Sequence, residues 1–226
     1  CLGNPALLGD EAIEYIADGL LVVIEGKVSQ IGDAETLLDT LNDDVAVIDH
    51  HGKLIMPGFI DTHIHYPQTD IIASYGEQLL DWLNKYTFPA ESRFADEEHA
   101  SEVAAFFLQE LLRNGTTTAM VMGTVHATSV EAFFKAAQAQ DMRMIAGKVL
   151  MDRHAPDFLQ DTAQQGYDES KALIQRWHNQ GRQRYAITPR FAPTSTPEQL
   201  ELAGALAKEY PPVSYTHLTL PTIGYV

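Results

Sequence analysis

The chain alternates between strand-like and helical runs along most of its length, and this alternation constrains the fold more than any other feature. Four apolar, β-branched runs end near residues 65, 124, 152 and 193, and a helical run follows each one. Strands that alternate with helices form a parallel sheet with helices packed outside it. Because such strands are buried on both faces, their nearly continuous apolar character agrees with this arrangement.

Local signals place the ends of the predicted helices. Asp96 is suited to cap a helix that runs to Arg113, and Gly115 lies just past its end. Ser129 is expected to open the second helix. Residues 196–199, Thr-Pro-Glu-Gln, form a capping box with proline at the first helical position, which predicts a helix to about Tyr210.

The turn after the first strand distinguishes between two kinds of parallel α/β fold. A doubly wound sheet usually carries a glycine-rich phosphate-binding turn after its first strand, whereas this chain carries polar side chains there. We therefore predict an α/β fold in which residues 57–212 form the first half of a (β/α)8, TIM-type barrel, since a full barrel takes about 250 residues. Residues 1–56, with two short strands around Gly26-Lys27, predict a small β-rich, partly sandwich-like domain.

Charge and cysteine content exclude several functions. The chain has 15 Lys and Arg against 31 Asp and Glu, a formal net charge of −16. Such a charge opposes binding to nucleic acid or to an anionic membrane surface. The single cysteine, Cys1, cannot form a disulfide within the chain, which fits the cytoplasm. No apolar run reaches the roughly 18 residues of a membrane span.

Two histidines, His63 and His65, end the first strand of the predicted barrel. Alternate residues of a strand point to the same face and lie about 6.6 Å apart along the backbone, so both imidazoles can reach one cation. Asp61 is expected on the same face. Barrel enzymes build their sites at the carboxyl ends of the strands, which favours a metal site over two structural histidines.

Five segments resemble guanine deaminases of the amidohydrolase superfamily. They occur in the family's order and read PGFIDTHIHYPQ, LLDWLNKYTFPAE, LLRNGTTTAM, RMIAGKVLMD and ITPRFAPTSTPEQ. His-x-His alone would indicate only the superfamily, while the tryptophan-containing segment and TPRF make the resemblance narrower. The resemblance implies a zinc-dependent hydrolase that converts guanine and water to xanthine and ammonia, with His63 and His65 as zinc ligands.

The resemblance also implies residues that hold the base. It places Gln68, Arg190 and Phe191 in the substrate pocket, and it implies a homodimer for the full-length protein. Guanine presents O6 and N7 as acceptors, to which arginine is geometrically suited. The alternative for Arg190 is a structural ion pair, and without the family analogy Gln68 would be assigned only to a loop.

Several other side chains are candidates without an assigned role. Lys148 suggests the carboxylated lysine of binuclear amidohydrolases, but it lies one strand too early, which favours packing or a structural pair. His126 follows the second strand and is expected in a polar loop. Trp82 and Phe88 are expected to wall the pocket or to pack in the core, and Glu91 is expected to be structural rather than a proton shuttle.

The two ends of the chain raise separate expectations. The opening residues, CLGNPALL, lack an initiator methionine and suggest a cut from a longer protein. Residues 213–226 are predicted to be a non-native tail, because VSYTHLTLPT resembles a translated DNA-library adapter. The competing interpretation is a divergent fifth strand with His217 as the third ligand. On the first interpretation the remaining ligands and the water-activating carboxylates lie beyond this chain, which is then expected to be inactive by itself.

The residues alone leave two alternatives to guanine deamination open. The first is an amidohydrolase of another specificity, acting on a pterin, on cytosine or as a chlorohydrolase. The second is a truncated product without catalysis.

Overall fold

The structure is a computed structural model, and it describes residues 4–76 and 78–210. It divides into two compact units, with the boundary between Ile55 and Met56. The predicted division into residues 1–56 and 57–212 stays a prediction. The predicted tail at 213–226, with His217, lies outside the described residues, as do residues 211 and 212.

The first unit is built around one hairpin. Strands β1 (Gly19–Ile24) and β2 (Lys27–Asp33) pair antiparallel. Glu25 and Gly26 both have positive φ, 50° and 74°, which matches the twist that tight hairpin turns require. Two short helices, α1 (Pro5–Leu8) and α2 (Ala34–Leu38), flank the hairpin in sequence, and the Asp33 side chain caps α2 by accepting from the Thr36 amide.

The second unit contains the parallel sheet. Its strands are β3 (Phe59–His65), β4 (Thr116–Met122), β5 (Arg143–Gly147), β6 (Val149–Leu150), β7 (Arg184–Tyr185) and β8 (Thr188–Pro189). The sheet has the order β3, β4, β5, β7, and β6 and β8 pair with each other beyond β5 and β7. Neighbours in the sheet follow chain order without a reversal, as the strands of a barrel do and those of a doubly wound sheet do not. The predicted α/β fold with a parallel sheet is confirmed.

Helices follow the strands and bury one face of the sheet. Aromatic rings fill the layer between them: the rings of Tyr66 and Phe133 have centroids 5.1 Å apart, and those of Phe134 and Trp177 stack at 5.5 Å. Within the described parts of the chain, no helix is long and apolar enough to cross a membrane. The helices are α3 (Leu79–Trp82), α4 (Phe88–Ser92), α5 (Glu97–Arg113), α6 (Ala127–Ala139), α7 (Ala163–Trp177) and α8 (Pro197–Glu209), with a π-helical turn at Leu83–Thr87.

Two of the three predicted helix starts are confirmed. Asp96 caps α5 by accepting from the His99 amide, and Thr196 caps α8 by accepting from the Gln199 amide. The prediction for Ser129 is wrong, because α6 already begins at Ala127. The Ser129 hydroxyl accepts from the Thr124 amide and donates to the His126 carbonyl, so it closes the turn before the helix.

The third and fourth predicted strands are shorter than their apolar runs. Regular pairing stops after Gly147 and resumes at Val149, with Lys148 between them. Side-chain hydroxyls replace the ladder there: Tyr185 accepts from the Lys148 amide at 3.2 Å, and Thr188 donates to the Lys148 carbonyl at 2.6 Å. A Cβ atom on Gly147 would collide with the Ala186 carbonyl, so glycine permits this close approach.

Candidate active site

The two histidines of β3 lie beside each other at the carboxyl end of the strand. Both side chains are half-buried, their ring centroids are 5.2 Å apart, and the ring planes are tilted by 59°. His65 pairs in register with Met122, the last residue of β4. The sequence prediction that both imidazoles approach one place at the strand end agrees with this geometry.

A β-bulge precedes the histidines and changes the position of Asp61. The register pairs Asp61 with Ala119 but Ile64 with Val121, so β3 carries one extra residue between them. Alternation along β4 places Ala119 and Met122 on opposite faces. Asp61 is therefore not in the alternation that continues to His65, and its carboxylate accepts from the His63 backbone amide at 2.9 Å. Because of this bulge, Asp61 does not share the face of His65 that simple alternation along the strand predicts. Bulges are common next to active sites, where they redirect side chains.

The donor chemistry of the histidine pair fits zinc. Two imidazoles that bind one tetrahedral zinc through nitrogens at about 2.0–2.1 Å have ring centroids about 5 Å apart, and the observed separation is 5.2 Å. A catalytic zinc needs at least three protein ligands. Among residues 4–76 and 78–210, no group of three or more His, Cys, Asp or Glu side chains is arranged to hold a metal. The pair can therefore supply part of a ligand set.

A second polar group joins Gln68 to Arg190 through Glu91. Arg190 Nη1 donates to Glu91 Oε2 at 2.7 Å, and Arg190 Nη2 donates to Glu91 Oε1 at 3.2 Å. Gln68 Nε2 donates to the same Oε1 at 3.3 Å. The structure thus brings together two of the three predicted base-binding residues, which lie on the turn after β3 and at the end of β8.

The Glu91–Arg190 pair is almost completely removed from solvent. Glu91 is 0% exposed and Arg190 is 3% exposed, and the guanidinium lies 5.4 Å from the Phe88 ring centroid. The ion pair that the sequence left as the alternative for Arg190 is therefore present. The base-binding role of Arg190 stays a prediction, and the contacts with Glu91 fix where its guanidinium lies.

The aromatic candidates have separate positions. Phe191 is half-buried and opens a short 3₁₀ turn, in which its carbonyl accepts from the Thr194 amide. Phe88 is buried against Arg190. Trp82 is half-buried, donates from its indole nitrogen to Ser74, and lines an open cleft of about 510 Å³.

Lys148 and His126 differ in their surroundings. Lys148 is fully buried and donates to Asp161 at 2.5 Å, while Glu169 lies 3.5 Å from its Nζ. The interpretation of Lys148 as a structural pair is confirmed by this contact. His126 precedes α6, and burial, followed by the charge of Lys148, lowers the pKa of its imidazole.

Glu91 is the residue whose place in the site the sequence did not predict. It lies in α4, which begins at Phe88, in the FPAE sequence that ends the tryptophan-containing segment. The run Phe-Pro-Ala directly before it is apolar, and a carboxylate that is buried beside such a run needs a partner, since an unpaired buried charge is costly. The sequence does not show which cation pairs with it, because Arg190 is 99 residues away.

The chain is similar to guanine deaminases in sequence and in fold. The guanine deaminase of Escherichia coli K12 is 58% identical over 218 residues, which are 96% of this chain and 49% of that protein. The solved E. coli guanine deaminase superposes with a TM-score of 0.88 at 58% identity, over 90% of this chain and 47% of that one. A guanine deaminase from C. acetobutylicum, solved with guanine bound in its active site, superposes with a TM-score of 0.78 at 28% identity, over 86% of this chain and 46% of that one.

These matches confirm the resemblance to guanine deaminases that the five sequence segments indicate. The chain spans about half the length of the curated relatives it matches. The sequence profile of the amidohydrolase family matches residues 54–218. This chain belongs to the amidohydrolase family.

Proposed function

We propose that the full-length protein carrying this chain hydrolyses guanine to xanthine and ammonia. The observation that carries the proposal is that a histidine pair and the Gln68–Glu91–Arg190 group lie in one α/β unit, and that the chain is 58% identical to a guanine deaminase. A metal ligand set and a base-binding group are two of the components that hydrolytic deamination of a purine requires; the third is a group that accepts the proton from water.

His63 and His65 are the residues that would hold the metal in this proposal. Both are half-buried, and the separation of their rings suits a shared zinc ion. Bound zinc supplies a nucleophile at neutral pH by lowering the pKa of a coordinated water. The remaining ligands and the group that accepts the proton from water come from outside the described residues.

Gln68, Arg190 and Phe191 hold the base. Arg190 is suited to donate to the O6 and N7 acceptors of guanine, and the Glu91 carboxylate holds its guanidinium in place. Gln68 lies three residues after His65, so a base that contacts its amide lies close to the proposed metal position. Phe191 adjoins Arg190 in the chain and offers a ring face on which a purine can stack.

The same proposal includes a homodimer in the cytoplasm, without nucleic-acid or membrane partners. The net charge of −16 opposes anionic partners, and the single cysteine fits a reducing compartment. The dimer rests on the family resemblance.

An assay of the purified full-length protein tests this proposal. We expect turnover of guanine to exceed turnover of a pterin, cytosine or a chlorotriazine by at least about a hundredfold. His63→Ala should abolish most of the guanine turnover and lower the bound zinc below one per chain, because it removes one of the few metal ligands. Preference for another of these substrates, or no turnover of any of them, would contradict the proposal.

A further inference from the structure

Glu91 is a fully buried carboxylate whose two oxygens serve two other side chains. Oε2 accepts from Arg190 Nη1, and Oε1 accepts from both Arg190 Nη2 and Gln68 Nε2. Phe88 and Ala90 are buried beside it in the same helix. Because a buried charge is stable only when it is paired and hydrogen-bonded, these contacts determine where the carboxylate sits and what it holds.

The carboxylate connects two distant parts of the chain that carry proposed base-binding residues. Gln68 belongs to the 3₁₀ turn after β3, and Arg190 directly follows β8. Glu91 itself lies on α4, in the segment between β3 and α5. The Glu91 carboxylate therefore holds the Gln68 amide and the Arg190 guanidinium next to each other.

The contact with Glu91 also sets the orientation of the Gln68 amide. The Gln68 Nε2 group faces the carboxylate, since a carboxylate can only accept. The amide oxygen of Gln68 is consequently directed away from Glu91, and it is the atom that can accept from an N–H group of a base. An amide at position 91 would offer both a donor and an acceptor, so either orientation of Gln68 would then be satisfied.

The pairing of Arg190 with Glu91 also affects the net charge of the proposed base-binding group. The Arg190 cation and the Glu91 anion are within 2.7 Å of each other and both are buried, so together they carry no net charge. A buried arginine without a carboxylate partner would favour an anionic ligand. With Glu91 in place, the pair suits a neutral heterocycle.

We infer that Glu91 is a positioning residue that makes the site selective for a neutral purine, by holding the Arg190 guanidinium and by orienting the Gln68 amide. This inference rests on the proposed guanine deamination. It assigns Glu91 no part in proton transfer.

Two variants of the full-length protein separate charge from geometry. Glu91→Gln removes the negative charge, and we expect the KM for guanine to rise at least about tenfold, which corresponds to about 1.4 kcal/mol, with a smaller change in kcat. Inhibition by urate, an anionic purine, should become stronger relative to the KM for guanine. Glu91→Asp keeps the charge but withdraws the carboxylate by one methylene, so the KM should rise without tighter urate binding.

Asp161→Asn is the matched control, because it makes the same kind of change in a buried carboxylate that pairs with Lys148. It should leave the KM and the urate inhibition unchanged. An unchanged KM in both Glu91 variants, or equal effects in Glu91→Gln and Asp161→Asn, would overturn the inference alone. A lack of guanine turnover in the parent protein would overturn the proposed function and this inference with it.

Discussion

Glu91 and Asp161 are both buried carboxylates paired with a buried cation, but their other hydrogen-bond partners differ. Glu91 pairs with Arg190 and accepts from the Gln68 side chain. Asp161 pairs with Lys148 and accepts from the Met151 amide and from the Gln199 side chain. Glu91 thus contacts two side chains that are proposed to bind the base, whereas Asp161 contacts Lys148 between β5 and β6, the backbone after β6, and a side chain of α8.

The comparison shows that burial of a charged pair does not by itself indicate a functional site. Both pairs are nearly inaccessible to solvent, although Glu91 and Arg190 are 99 residues apart and Lys148 and Asp161 only 13. The group around Glu91 contains Gln68 and Arg190, the side chains that are proposed to bind the base, whereas Lys148 lies in the break between β5 and β6 and is fully buried. We therefore expect changes at Lys148 or Asp161 to affect stability, and changes at Glu91 to affect substrate binding.

The largest effect on stability is expected from Lys148→Met. It leaves the buried Asp161 carboxylate without its cation, and breaking one side of a buried pair costs about 3–5 kcal/mol. Denaturant unfolding of the full-length protein measures this change. The KM for guanine should stay within about twofold of the parent value at temperatures where the variant is folded. A large rise in KM would remove the distinction between the two pairs.

A smaller effect is expected from Tyr66→Phe. Tyr66 lies in the sequence between the proposed metal ligand His65 and Gln68, and it is fully buried. Its hydroxyl donates to the Ser129 carbonyl at 2.6 Å. Loss of this hydrogen bond should lower the free energy of unfolding by about 0.5–1.5 kcal/mol. A thermal melt measures the loss, and a stability equal to that of the parent would show that the turn after β3 does not depend on this bond.

The smallest effect is expected from pH, through His126. Burial lowers the pKa of its imidazole, the Lys148 charge lowers it further, and Glu169 and Glu91 oppose this change. The unfolded chain then takes up a proton near pH 6.5, while the folded chain does so only at a lower pH. Stability should fall as the pH falls from about 6.5 towards the folded-state pKa.

Melting temperatures at pH 7.5, 6.5 and 5.5 measure this dependence. His126→Asn removes the titrating group and should make the curve flatter over that interval. In Lys148→Met, the same curve should also flatten, because one cause of the lowered pKa is gone. A steeper curve in either variant would contradict this account of His126.

Much of the fold could be predicted from local signals, and the exceptions have physical causes. The parallel sheet, the cap of α5 by Asp96 and the cap of α8 by Thr196 follow from patterns within a few residues. The break of the third strand at Lys148 depends on hydroxyls of Tyr185 and Thr188 from a neighbouring strand. A pattern within one segment contains no information about such partners.

The candidate site shows the same limit. The histidine pair was predictable because alternation along one strand brings His63 and His65 together. The bulge that separates Asp61 from them requires the register with β4. The contact between Glu91 and Arg190 joins residues 99 positions apart, so only the fold reveals it.

The most direct test of the central claim is zinc K-edge X-ray absorption of the full-length protein, compared with its His63→Ala and His65→Ala variants. We expect nitrogen neighbours at about 2.0–2.1 Å in the parent, with one imidazole fewer in each variant that retains metal. Zinc bound with an unchanged imidazole count in both variants would show that these two side chains do not share a metal ion.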